Sequence, residues 1–509
     1  MSMNQQPAKT MKKPLRIMKF GGTSVGDASS IQKVVEIVGA AAPDSELVVV
    51  VSAMSGVTNQ LIEAATQSEA GNRDSVEVIF ERLRGRHNAA VSALVRSVPM
   101  RSRISREAEE VFQEGERLCQ GTALLRELTL RARDAISSLG ERLSAPLVAA
   151  ALAECEVPSQ AIAATELIQT DSCHGSADPC MDETRKRCQA RLRPLLQRGI
   201  IPVVTGFIGA TAEGALTTLG RGGSDYSATI LGAALEADEI LIWTDVDGMM
   251  TADPRLVPEA CTIAEISYRE AAELAHFGAK VLHPKTLRAV AQCGIPLWIR
   301  NTFAPEQLGT KITPAGPPNG GGVKGLTAIS DVALITVGGP GIVGVPDVLG
   351  RTFATTAAVR ANVLLISQSS SQNDICLVVS TALAKPTVEA LRHEFAQDLA
   401  HEKVEHITLD PTVAIVTVVG QNMRGSGIVG RTFGALGRDG VNIIAIAQGS
   451  SECNLSFVVS RDNMQAALAI THREFQLDAL NAPALPVVTP SGRPEAWYHE
   501  PPRPHVDAD

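Results

Sequence analysis

The run ELVVVVSAMSGVTN, which begins at Glu46, constrains this chain more than any other stretch. Four consecutive valines cannot alternate between a wet and a dry face, so the segment reads as a parallel strand buried on both sides. Upstream, LRIMKFGGTSVGDASSIQKVVEIV starts at Leu15 and passes from strand through two glycines to a helix. Further strand-like segments are PSQAIAA, GIIPVVTGFIGATAEG, DEILIWTDVDGMMTADPR and GIPLWIRNT, with helical patterns between them. This alternation predicts an α/β fold, a three-layer αβα domain with a mostly parallel sheet over residues 15–312. Residues 60–135 have apolar positions at helical spacing amid dense charge, and predict a helical excursion from the sheet.

A Pro/Gly-rich linker is expected at 313–325, and beyond it the chain repeats itself. VALITV at Val332 returns as VAIVTV at Val413, and GRTF occurs at Gly350 and Gly430. Gln368 and Gln448 hold equivalent places. Each copy reads strand, turn, helix, strand, turn, strand, which predicts two packed α+β modules at 326–400 and 401–480. A flexible N-terminus at 1–14 and a disordered proline-rich tail at 481–509 complete the expectation. A length of 509 residues requires several such units. No apolar run reaches the roughly 18 residues of a membrane span, and no secretory signal is read at the N-terminus. A net charge of −9 argues against a general nucleic-acid binder. The nine cysteines include no CxxC pair, which fits reduced thiols in a cytoplasmic protein. Cys173, His174 and Cys180 fit no usual zinc spacing.

Four segments at predicted strand ends carry chemistry, because ligands of open α/β sheets bind there. Lys19 precedes Gly21 and Gly22, whose amides can approach an anion at the start of a helix; a tight turn with a solvated lysine is the plain alternative. In TTLGRGGSDYSA, Arg221 offers a planar fork for a carboxylate, and Asp225 is either a functional acid or a helix cap. Glu141, in SSLGERLSAPL, either binds an ammonium or complements a helix dipole. The fourth segment pairs Asp245, Asp247, Asp253 and Arg255 with Lys280 in FGAKVLHP; capping and turn chemistry is the alternative there. His283 reads as a packed or capping residue.

Together the strings KFGGTSV, VVSAMSGVTN, SLGERLS, TTLGRGGSDYSA, WTDVDG, TADPR and FGAKVLHP resemble the aspartate kinases of the amino-acid kinase family. The duplicated region is similar to their paired ferredoxin-like ACT regulatory modules. QSSS and AQGSSE are closest to the threonine-sensitive class, usually fused to homoserine dehydrogenase. The resemblance implies phosphorylation of L-aspartate by ATP with Mg²⁺, and no metal bound by the protein alone. It implies catalytic roles for Lys19 and Asp225, and an aspartate pocket of Ser52, Thr58, Glu141 and Arg221. Around the nucleotide it implies Lys19, Gly21, Gly22, Ser24, Thr244, Asp245, Met250, Arg255 and Lys280. Met250 stands where the family usually has a nucleotide-contacting tyrosine, which bears on affinity more than on activity. An allosteric amino acid, threonine or alternatively lysine, is implied at Gln368, Gln448, Asn442 and Ile443. A homodimer or homotetramer through the ACT modules is also implied, with no nucleic-acid or membrane partner. The fused class continues into a dinucleotide-binding domain where this chain has its tail, so no dehydrogenase activity is expected. Another kinase of the same fold, or a non-catalytic amino-acid sensor, are the competing functions.

Overall fold

The computed structural model describes residues 13–278, 282–317, 322–339, 346–368, 373–423, 427–448 and 453–479. Lys280, the tail and residues 1–12 of the N-terminal segment lie outside them. An eight-stranded sheet organises the first part, in the order Ser159–Ile162, Ile201–Thr205, Glu46–Val51, Leu15–Phe20, Glu239–Thr244, Leu297–Asn301, Thr310–Thr313 and Glu265–Ser267. Neighbours run parallel except where Thr310–Thr313 returns antiparallel to Leu297–Asn301.

The valine run is buried at all of Leu47 through Val51. Its side chains alternate between two cores: Leu47, Val49 and Val51 on one face, Val48 and Val50 on the other. The same period of two decides where Lys19 goes. Met18 and Phe20 enter the first core; Leu15 and Ile17 enter the second, so Lys19 shares the second face. That face is covered by the helix Gly223–Leu235, whose first turn holds Asp225.

The helical excursion is longer than expected. It comprises Val57–Ala70, Arg73–Leu94, Val98–Leu125, Leu130–Ser137 and Leu139–Glu154, so it starts before residue 60 and continues past 135. The first helix of the chain starts later than the glycines imply. It spans Ala28–Ala41, and Asp27 caps it by accepting a 2.8 Å bond from the Ser30 amide. The positive helix end is therefore answered by Asp27, and of the two glycines only Gly22 keeps a turn amide to offer, since that of Gly21 donates to Trp243 O.

Each repeat supplies a four-stranded antiparallel sheet with helices on one face. The first is ordered Val363–Gln368, Asp374–Ser380, Val332–Gly338, His406–Asp410. The second is ordered Gly322–Ile329, Val413–Gln421, Asn454–Ser460, Ala445–Ala447. The boundaries expected at 325/326 and 400/401 need correction here. Gly322–Ile329 precedes the first repeat yet completes the sheet of the second, and His406–Asp410 closes the sheet of the first. The first repeat is thus inserted into the second, because a sheet edge is filled by whichever strand reaches it in register. The faces away from the helices meet through Val332, Leu334 and Val378 on one sheet and Val413, Ile415 and Val458 on the other.

Candidate active site

The carboxyl ends of the central strands open into a cleft of about 840 Å³. It collects Lys19, Gly21, Gly22, Ser52, Thr58, Glu141, Arg221, Asp225, Thr244 and Asp245, drawn from five separate stretches of sequence. Lys19 Nζ lies 2.5 Å from Asp225 Oδ1, with both side chains largely buried. Gly21 donates its amide to Trp243 O at 3.0 Å, and the Gly22 carbonyl accepts from the Ser55 amide at 2.9 Å. A Cβ on Gly22 would stand 3.1 Å from the Ala53 carbonyl, and one on Gly21 would stand 3.4 Å from Lys19 Nζ. A side chain at Gly21 would fill the space beside the lysine, and one at Gly22 would press on the Ala53–Ser55 backbone.

Glu141 sits in the first turn of Leu139–Glu154, but it is no surface acid answering a dipole. It is 3 % exposed. Its Oε1 accepts from the Ala53 amide at 3.0 Å, while Oε2 has no hydrogen-bond partner among the described residues. Burial pushes its carboxyl up to about 8; the Ala53 amide and, more weakly, Lys19 oppose that rise. An unpaired carboxylate oxygen in a buried wall of a cleft is a site for a cation that arrives with a ligand.

Arg221 is exposed on the glycine loop between Leu216–Thr218 and the helix that begins at Gly223. Gly220 and Gly222 have φ of +81° and +69°, which only glycine adopts without strain. A Cβ on Gly222 would also meet His283 at 2.7 Å. His283 caps the helix Pro284–Ala291 through the Lys285 amide, as its place before proline implied. Burial holds its imidazole below the usual range, helped by Lys285 and Arg221.

Three residues expected near the nucleotide do not line the cleft. Ser24 is fully buried and bonds Thr302 Oγ1 at 2.7 Å, and Thr23 lines the cleft in its place. Met250 pairs in a β-bridge with Thr262. Arg255 is held on an exposed loop by Asp253 at 2.6 Å. Met250 and Arg255 follow Gly248, whose φ of +133° marks a turn just after the strand end. Beyond it Thr251 Oγ1 meets His472 Nε2 of the second repeat at 2.9 Å, and Ala252 and Val257 join that module's core.

Sequence reading missed Asp134. It is buried at the end of the excursion and accepts from Thr218 Oγ1 at 2.6 Å, the Thr218 amide at 3.2 Å, the Gly175 amide at 3.0 Å and His174 Nδ1 at 3.0 Å. It ties the helix Leu130–Ser137 to the glycine loop and commits His174, one of the three residues weighed for zinc. Nothing in its local pattern, RARDAISS, distinguishes it from a solvated helix acid. In the repeats, Gln368 ends an edge strand and Gln448 follows one; Gln448 Nε2 donates to Met423 O at 3.4 Å. Asn442 is exposed and Ile443 half-buried just before that strand.

A mostly parallel αβα sheet with a lysine–aspartate pair and a glycine turn at its carboxyl end defines a class of phosphate-handling α/β proteins, and the comparisons agree. The model of the amino acid kinase family matches residues 14–301, and that of the ACT domain matches 335–395 and 416–475. The chain belongs to the amino acid kinase family, and within it to the aspartokinases. It is 34 % identical over 91 % of its length to an Arabidopsis thaliana bifunctional aspartokinase/homoserine dehydrogenase 1, chloroplastic, and spans about half (51 %) of that relative. It is 31 % identical to Arabidopsis thaliana aspartokinase 3, chloroplastic, over 92 % of this chain and 82 % of that one. E. coli aspartokinase III, 30 % identical, superposes over 91 % of this chain. Its complex with aspartate and ADP has a TM-score of 0.75 and is covered in full; its complex with lysine and aspartate has a TM-score of 0.74 and is 99 % covered.

Proposed function

We propose that this chain is an aspartate kinase: ATP and L-aspartate give ADP and L-aspartyl 4-phosphate, the first step toward the aspartate-derived amino acids. The observation that carries this reading is the cleft itself. It brings together a buried Lys19–Asp225 pair, two glycines, Arg221 and an unpartnered Glu141 oxygen.

The acceptor carboxylate has an ordinary pKa near 3.9 and is ionised at neutral pH, so no general base is required. The barrier is electrostatic, since an anion must approach a polyanion. Lys19 neutralises charge on the phosphoryl group in transit, and Asp225 fixes the ammonium at the strand end. Gly21 and Gly22 leave room for the phosphate oxygens, and the Gly22 amide, unlike that of Gly21, is left to donate to them. Arg221 takes the α-carboxylate, Glu141 the α-ammonium, and Ser52 and Thr58 line the amino-acid pocket. Thr244 and Asp245 border the nucleotide, and Asp245 is an exposed carboxylate of the kind that Mg²⁺ accepts as a ligand. Bound Mg²⁺ would screen the phosphate charges.

The ACT modules are read as an amino-acid sensor, with threonine as effector through Gln368 and Gln448 and lysine as the alternative. Assembly as a dimer or tetramer through these modules, and a cytosolic location, belong to the same reading. All nine cysteines are free thiols. No helix among the described residues is long and apolar enough to cross a membrane. A hydroxamate assay for acyl phosphate tests the proposal, run with aspartate and with glutamate, each with and without threonine or lysine. Product with aspartate supports it; ADP release with glutamate alone would refute the substrate, and none with either would refute the activity.

A further inference from the structure

The cleft is lined by three cations among the described residues, Lys19, Arg133 and Arg221. Facing them are four carboxyl groups, Asp134, Glu141, Asp225 and Asp245. Lys19 is already committed to Asp225. Two arginines therefore carry the attraction for an incoming anion. Arg221 follows from the glycine motif, whereas Arg133 belongs to no motif in the sequence.

Arg133 lies on Leu130–Ser137, the short helix of the excursion just before the Glu141 helix. Its side chain is exposed to the cleft and makes no ion pair or side-chain hydrogen bond among the described residues. Fixing an arginine costs side-chain entropy, so an unpaired one in a cleft keeps its guanidinium free for an arriving anion. The position is set by its neighbour. Asp134 clamps the helix to Thr218 and Gly175 through four donors, so Arg133 is carried on a backbone anchored to the loop that bears Arg221. The helix packs against Val57–Ala70, whose first turn holds Thr58, and against Leu216–Thr218. Thr58 is the residue read above as lining the amino-acid pocket, and the strand Leu216–Thr218 leads into the loop that bears Arg221.

We propose that Arg133 is a further substrate-binding residue: it pairs with a carboxylate of the acidic amino acid and joins Arg221 in holding the substrate. This rests on the aspartate-kinase reading. A fork of five donors suits a carboxylate better than the ammonium of a lysine would. Phosphate shares this chemistry, so the test must separate the two anions.

The experiment uses the full chain and the variants Arg133→Ala and Arg133→Lys. Steady-state rates are taken against aspartate at saturating MgATP and against MgATP at saturating aspartate, and calorimetry measures aspartate binding directly. Arg133→Ala is expected to raise the KM and Kd for aspartate at least tenfold and to leave the KM for MgATP within twofold. Arg133→Lys should recover part of the loss. An unchanged aspartate KM would overturn the inference, and so would a rise confined to MgATP, which would make Arg133 a phosphate contact. In both cases a working wild-type kinase would leave the function standing. A wild-type chain that neither binds nor phosphorylates aspartate would overturn the reading and the inference together.

Discussion

Replacing Glu141 by glutamine keeps the shape of the side chain and removes its charge, and the structure fixes what should follow. In the folded protein the carboxyl is raised from 4.5 to about 8, chiefly by burial. Below pH 4.5 the group is protonated in both folded and unfolded chains. As pH rises, the unfolded chain releases the proton first, so wild-type stability falls between about pH 4.5 and pH 8. At about 1.4 kcal/mol per pKa unit, ionisation in the empty cleft costs on the order of 5 kcal/mol at most. Glu141→Gln lacks this component, so its melting temperature should lie above the wild type at pH 8 and converge with it toward pH 5. Substrate binding should move the other way. Loss of a buried carboxylate opposite an ammonium costs about 2–4 kcal/mol, a rise of roughly 30- to 1000-fold in the KM for aspartate. The KM for MgATP should stay within about twofold. At neutral pH the wild type should also release close to one proton on binding aspartate, because the arriving ammonium favours the ionised carboxylate. Its aspartate affinity should therefore rise with pH up to about 8. Calorimetry in buffers of different ionisation enthalpy reads that proton, and Glu141→Gln should release none. Equal aspartate KM values, or identical pH dependence of melting in the two proteins, would refute the assignment of Glu141 to the substrate ammonium.

Lys19→Ala should keep its circular dichroism spectrum and lose about 10²–10³ in kcat, the usual penalty for one preorganised charge contact; near-normal turnover would contradict its role at the phosphoryl group. Threonine should inhibit the wild-type kinase with a coupling of about 1–3 kcal/mol, and Gln448→Ala should abolish the response while sparing the uninhibited rate; insensitivity of the wild type to both threonine and lysine would leave the modules as structural pairs only. Thr251→Val should destabilise the chain by about 1–3 kcal/mol, since it strands His472 Nε2 and the Cys261 amide, both of which meet the Thr251 hydroxyl; an unchanged melting temperature would show that this contact is not made in solution.

The local pattern carried a large part of the answer. A valine run without alternation reads as a doubly covered strand, and the returning strings, GRTF among them, read as a duplicated unit. Glycines at Gly220 and Gly222 announce backbone angles that other residues avoid. These features are legible because they are short-range: side-chain period, branching at Cβ and the sterics of one peptide act within a few residues. The neighbouring glycines mark Lys19 and Arg221 as candidates, but the roles given to them and to Glu141 rest on the resemblance of whole strings to the aspartate kinases. The rest was decided by pieces that meet only after folding. Glu141 is an ordinary first-turn acid until Ala53 and the sheet bury it, and Asp134 is an ordinary helix acid until Thr218 and Gly175 turn their donors to it. Ser24 is implied at the nucleotide by the resemblance, and only the proximity of Thr302, far along the chain, draws it into the core. The strand at 322–329 lies before the first repeat, yet the open edge of the second sheet claims it. Sequence sets which conformations each segment prefers; which segments become neighbours is settled by long-range packing, where burial and hydrogen-bond satisfaction are summed over the whole molecule.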